Sequence, residues 1–204
     1  DLNEVIDAAK TVLAGESELW DREQAAWEKT EKPTTDMGWQ QPADILISSD
    51  AKTEFEKMQD GSMLALGERS ANDTYRIDLP IPKQGLSAFE LELLPHASLP
   101  RQGPGRAGNG NFVLSEFELW QGDTSLPISA AVASHSQGGW EIEKSIDGDV
   151  HTGWAIRPKI GQRLTAYFEL AEPLVAGQQG NVQVRLRQLY GSGYVIGRLK
   201  LRTT

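Results

Sequence analysis

Residues 164–170 read Leu-Thr-Ala-Tyr-Phe-Glu-Leu, with Leu164, Ala166, Phe168 and Leu170 on one side of an extended chain and the other three on the opposite side. Side chains of a pleated strand point alternately to its two faces, so an apolar period of two predicts a strand with one face in a core. The same period runs through Tyr75, Ile77 and Leu79 against Arg76 and Asp78, and through Phe89, Leu91 and Leu93 against Glu90 and Glu92. It returns in Val182, Val184 and Leu186 against Gln183, Arg185 and Arg187, and in Leu199 and Leu201 against Arg198, Lys200 and Arg202. One apolar face per strand, with turn signals between strands, predicts antiparallel sheets packed face to face. No helical pattern separates the strands, which argues against a parallel α/β sheet. The expectation is an all-β antiparallel sandwich of about eight to ten strands over residues 33–204.

A different period opens the chain. Leu2, Val5, Ile6, Ala9, Val12 and Leu13 follow the spacing of one apolar helix face. Gly15 interrupts it, Ser17 can cap a second run, and Trp20, Gln24 and Trp27 then share a face. This predicts a helical segment over residues 1–32, followed by a linker marked by Pro33, Gly38 and Pro42. The chain begins at Asp1 without a signal-peptide pattern, so a piece excised or processed from a longer protein is expected.

The 204 residues are 39% hydrophobic and 24% charged, enough apolar content for a substantial core. No apolar run reaches the roughly 18 residues of a membrane-spanning helix. A formal charge of -9 argues against nucleic acid and anionic bilayers as partners, and an acidic glycan would need a local basic patch. The absence of cysteine excludes disulfides, thiolate metal sites and covalently attached haem.

Three groups of residues carry candidate chemistry. The glycine-rich run from Gly103 to Asn111, GPGRAGNGN, reads as a long inter-strand loop, and loops at the end of a rigid sandwich are where binding sites collect. Arg101, Arg106, Asn109 and Asn111 offer planar donors and amides there; equally, they can tie the loop to its own backbone, with Gly105 and Gly110 supplying positive φ. Its order matches neither a dinucleotide fingerprint nor a P-loop. Sugars pair apolar C–H faces with ringed hydroxyls, and Trp140, Tyr190 and Tyr194, each beside glycines, are the aromatic platforms such a ligand wants. Finally, Lys144, Asp147, Asp149 and Thr152 stand at i, i+3, i+5 and i+8. That spacing can wrap oxygens around a hard cation, calcium above all, or it can be a solvated Asp-Gly-Asp bend.

Ala133-Ser134, Ile146-Asp147-Gly148-Asp149 and Thr152-Gly153-Trp154 together resemble the opening of discoidin-type, galactose-binding-like domains, which include many carbohydrate-binding modules. The resemblance implies a jelly-roll sandwich with a structural calcium, held by the backbone carbonyl at Lys144 and by Asp147, Asp149 and Thr152, with Trp154 in the core. In that family a further ligand is a Glu on a late strand. The matching Leu114-Ser115-Glu116-Phe117-Glu118 comes before the loop here, so Glu116 is a ligand only if the strand order is circularly shifted. A second resemblance, carried by residues 95–118 and by Tyr194-Val195-Ile196-Gly197-Arg198-Leu199, covers the chain from about Trp27 onward. It is to a region of large exported planctomycete and verrucomicrobial proteins that also carry cytochrome-c-like domains, and it implies export and neighbouring domains as partners.

Catalysis finds little support. His96, His135 and His151 lie on expected turns without a zinc-type pair, and no G-x-S-x-G elbow occurs. A glycosidase would need Glu116 to face Asp147 or Asp149 across a cleft. The sequence therefore points to a non-catalytic, calcium-containing module that binds polysaccharide within an exported protein; the alternative is a module that docks neighbouring domains without binding glycan.

Overall fold

The alternating segments are strands in the computed structural model, which describes residues 38–42, 44–178 and 180–204. The expected N-terminal helix, with Trp20 and Trp27, lies outside the described residues. In chain order the strands are β1 (Leu46–Ser49), β2 (Glu54–Lys57), β3 (Met63–Leu66), β4 (Asp73–Pro80), β5 (Leu86–Leu93), β6 (Glu116–Gln121), β7 (Thr124–Leu126), β8 (Ile128–Ala133), β9 (Leu164–Leu174), β10 (Asn181–Gln188) and β11 (Arg198–Thr203). They form two sheets, β1-β4-β10-β6-β7 and β2-β3-β11-β5-β9-β8. Every pairing is antiparallel. Residues 39–204 make one compact unit.

The strand total exceeds the expected eight to ten. The additions are short: β1, β2 and β7 hold three or four residues and pair on sheet edges, too short to display a period. Among the described residues no helix is long and apolar enough to cross a membrane.

The core lies between the sheets, where the inward residues of β4, β6 and β10 meet those of β5, β9 and β11. At its centre the rings of Phe117 (β6) and Phe168 (β9) stack with centroids 3.8 Å apart and planes 7° from parallel, which joins the two sheets. Phe89 leans on Phe117 at 5.9 Å. Burying each such side chain contributes about 1.5–3 kcal/mol. The Tyr75 hydroxyl, buried with its ring, donates to the Ile196 carbonyl at 2.7 Å and so satisfies its one polar group.

On the outer face of the six-stranded sheet the period places Glu90 and Glu92 side by side on β5, yet they are only 4% and 2% exposed. Arg202 on β11 pairs with both, and Arg163 also pairs with Glu92. Burial still holds the Glu90 carboxyl above the usual carboxylate range, against the lowering effect of Arg202.

Candidate functional site

Between β8 and β9 the chain makes one long excursion, and hydrogen bonds fasten it to the end of the sandwich. Within the excursion Gln137 N–H donates to the Ala155 carbonyl at 2.8 Å, and the fastening is made by Leu114, just before β6, and Trp154, which exchange backbone bonds at 2.9 and 2.8 Å. Trp154 is fully buried against Phe112, and its indole N–H donates to the His135 carbonyl at 3.0 Å. Gly153 makes this docking possible. It takes φ +154°, and a Cβ added there would stand 2.5 Å from the Leu114 carbonyl oxygen, so a side chain would push the excursion off β6.

One end of the excursion is an oxygen-lined cup. A short 3-10 turn, Ile142–Ser145, leads into it, and the Thr152 hydroxyl sits at its centre. That hydroxyl lies 3.2 Å from the Lys144 carbonyl, 2.8 Å from Asp147 Oδ2 and 3.0 Å from the Asp149 carbonyl. It has one proton to give to three acceptors, so lone pairs are in surplus. Asp149 enters through its carbonyl; its carboxylate instead accepts the His151 N–H at 3.0 Å.

Glu116 lies beside the cup, next to Asp147. The Leu114–Trp154 bridge sets it, at the start of β6, against the Asp147-Gly148 turn, although thirty residues of chain separate the two. It is 4% exposed and its Oε1 has no donor. Burial first, and then the negative charge of Asp147, push its carboxyl up to about 7, eased by the Gly148 backbone N–H. A buried carboxylate oxygen without a donor, beside the Asp147 carboxylate whose Oδ2 meets the Thr152 hydroxyl and, through it, two carbonyls, is part of a set of hard oxygen donors of the kind a calcium-sized cation takes. No three His, Asp or Glu side chains converge among the described residues, so a cation here would depend on the carbonyls as much as on the two acids.

The other end of the excursion carries Trp140. Its ring meets Tyr190 edge-on at 5.1 Å, and Tyr190 meets Tyr194 edge-on at 5.2 Å. Tyr190 is 52% exposed. These rings, with Asn109, Asn111, Gln137 and Arg157, line a cavity of about 170 Å³. The Asn109 amide donates to the Tyr194 hydroxyl at 3.2 Å. Asn111 is buried; its oxygen accepts the Ile156 N–H at 3.1 Å and its amide reaches Gln137 at 3.3 Å, so it holds the two loops together from beneath the cavity.

Two of the expected ligand contacts fall elsewhere. Arg106 is buried, donates to the Gly67 carbonyl and lines a separate depression with Arg69 and Leu99. Arg101 is exposed, in left-handed backbone at φ 52°, and does not line the aromatic cavity. The glycine reading also divides: Gly110 has φ +79°, whereas Gly105 lacks positive φ and is required by close approach, a Cβ there falling 2.0 Å from the Asn111 carbonyl oxygen. Arg157 and Gln137 were not legible as site residues, because nothing in their neighbourhood departs from ordinary loop sequence.

No family model, curated protein or solved structure matches the chain.

Proposed function

We propose that the chain is a non-catalytic carbohydrate-binding module, a galactose-binding-like jelly roll that attaches a larger exported protein to polysaccharide. The observation that carries this reading is the edge-to-face corner of Trp140, Tyr190 and Tyr194 around a small cavity rimmed by amides. Aromatic faces take the C–H side of a pyranose, and Asn109 and Gln137 offer donors and acceptors to its hydroxyls. At about 170 Å³ the cavity is below the roughly 300–1,000 Å³ of sites for drug-sized ligands, so it suits one sugar ring at a time.

Calcium belongs to this reading. Lys144 and Asp149 would hold it through their carbonyls, Asp147 and Glu116 through their carboxylates, and Thr152 through its hydroxyl. When bound, the cation supplies a fixed positive centre that ties the excursion to β6. Its role is to order the loop that carries Trp140; it takes no part in sugar contact.

Retention on a panel of immobilised neutral and acidic polysaccharides, with calcium and after chelation, tests the proposal. Saturable retention by at least one glycan is the expected result, and none on any glycan overturns it. A docking module for neighbouring domains is the second reading. It is favoured by Val132 and Tyr167, cross-strand partners on β8 and β9 that are 63% and 38% exposed, an apolar pair on the outer face of a sheet.

A further inference from the structure

Arg157 lines the aromatic cavity, and among the described residues it is the one charged residue that does. Every other described arginine except Arg101 has at least one guanidinium nitrogen engaged, although the buried Nη1 of Arg106 is left without a partner. Arg69 and Arg106 donate to carbonyls, Arg185 donates to Gln183, and Arg76, Arg163, Arg187, Arg198 and Arg202 pair with carboxylates. Only the Arg157 carbonyl is engaged, by His135 at 3.2 Å; among the described residues its guanidinium has no acceptor. Among the described residues no carboxylate lines the cavity. The nearest in sequence to Trp140, Glu141, is taken up by Lys144 at 3.0 Å and by the Gly139 N–H at 2.7 Å.

Arg157 is exposed where it borders this otherwise neutral cavity, and an unpaired planar fork there can offer two parallel donors to an oxyanion. The surrounding molecule carries a formal charge of -9, so this site is locally opposite in sign to the protein that bears it. From this we infer that the cavity selects an anionic sugar residue, with Arg157 gripping its carboxylate or sulfate while the rings of Trp140, Tyr190 and Tyr194 hold the pyranose. The inference rests on the glycan-binding reading and names its substrate class. Neutral sugars would fill the same aromatic corner but leave the guanidinium without an acceptor.

The test is affinity electrophoresis of the whole chain in calcium, through gels carrying polygalacturonate, a sulfated galactan or a neutral galactan, at graded concentrations. The expected result is that one of the anionic polymers binds at least about tenfold more tightly than the neutral one. Arg157→Gln should remove that preference, Arg157→Lys should restore part of it, and added salt should weaken it. Which anionic gel retards the protein distinguishes carboxylate from sulfate. Because the guanidinium has no partner to lose, Arg157→Gln should melt at the wild-type temperature, which separates a binding loss from misfolding. Equal retention by neutral galactan, or an anionic preference that survives Arg157→Gln, overturns the inference and leaves the glycan reading standing. No retention in any gel overturns both.

Discussion

At Glu116, stability without metal and the proposed cation site pull in opposite directions. Its buried Oε1 has no donor and its neighbour is Asp147, an arrangement that costs free energy unless a cation joins them. Glu116→Gln keeps the shape and removes the charge. The metal-free variant should therefore melt no lower than wild type, while its calcium-dependent gain disappears; differential scanning calorimetry with calcium and with chelator reads both, and a gain equal to wild type would remove Glu116 from the site. Gly153→Ala acts on the same cup from beneath. With φ +154° and a backbone oxygen 2.5 Å from the added carbon, it should cost at least about 1–3 kcal/mol in urea unfolding and blunt the calcium response as well. A stable, fully responsive Gly153→Ala protein would show that the excursion does not need its close approach to Leu114.

Among the elements, the long strands were legible, and the long excursion only in part. β4, β5, β9, β10 and β11 announce themselves because each buries one face, so period two is written into the sequence. β1, β2 and β7 are edge strands of three or four residues and write no pattern. The cup was half legible: Lys144, Asp147, Asp149 and Thr152 lie within one turn, but Glu116 arrives through the Leu114–Trp154 bridge, a juxtaposition made by sheet topology. Trp140, Tyr190 and Tyr194 could be named singly, yet nothing local to them states that two loops bring them together or that Arg157 joins them. Arg106 misled because its position in a glycine-rich loop suggests exposure, whereas its guanidinium serves the Gly67 carbonyl. Between the sheets, Phe117 and Phe168 form the central contact, and Phe117→Ala should cost about 3–5 kcal/mol in urea unfolding, with the midpoint falling at unchanged slope. A loss under 1 kcal/mol would mean that the two sheets are held chiefly elsewhere.

At the scale of the whole molecule, a cation that binds only the folded state raises global stability by mass action. At a calcium concentration 100 times its dissociation constant the gain is about 2.7 kcal/mol. At about 2–4 °C per kcal/mol for a domain of this size, the melting temperature should rise by roughly 5–11 °C. Magnesium, which demands compact octahedral geometry and gives up its water reluctantly, should give much less. An unchanged melting temperature in both salts would leave the cup as a hydrogen-bonded turn. The acidity of the molecule makes the same local argument from the other side: a body of formal charge -9 repels polyanions in general, so any acidic glycan it retains must be held by a specific site. The most direct test of the central claim is the dissociation constant of the best-retained oligosaccharide for wild type and Trp140→Ala, measured by isothermal titration in calcium. If the aromatic corner is the sugar site, removing its indole should weaken binding at least about tenfold, some 1.4 kcal/mol, with the melting temperature little changed. An unchanged dissociation constant would contradict it and place any glycan binding on another surface of the sandwich.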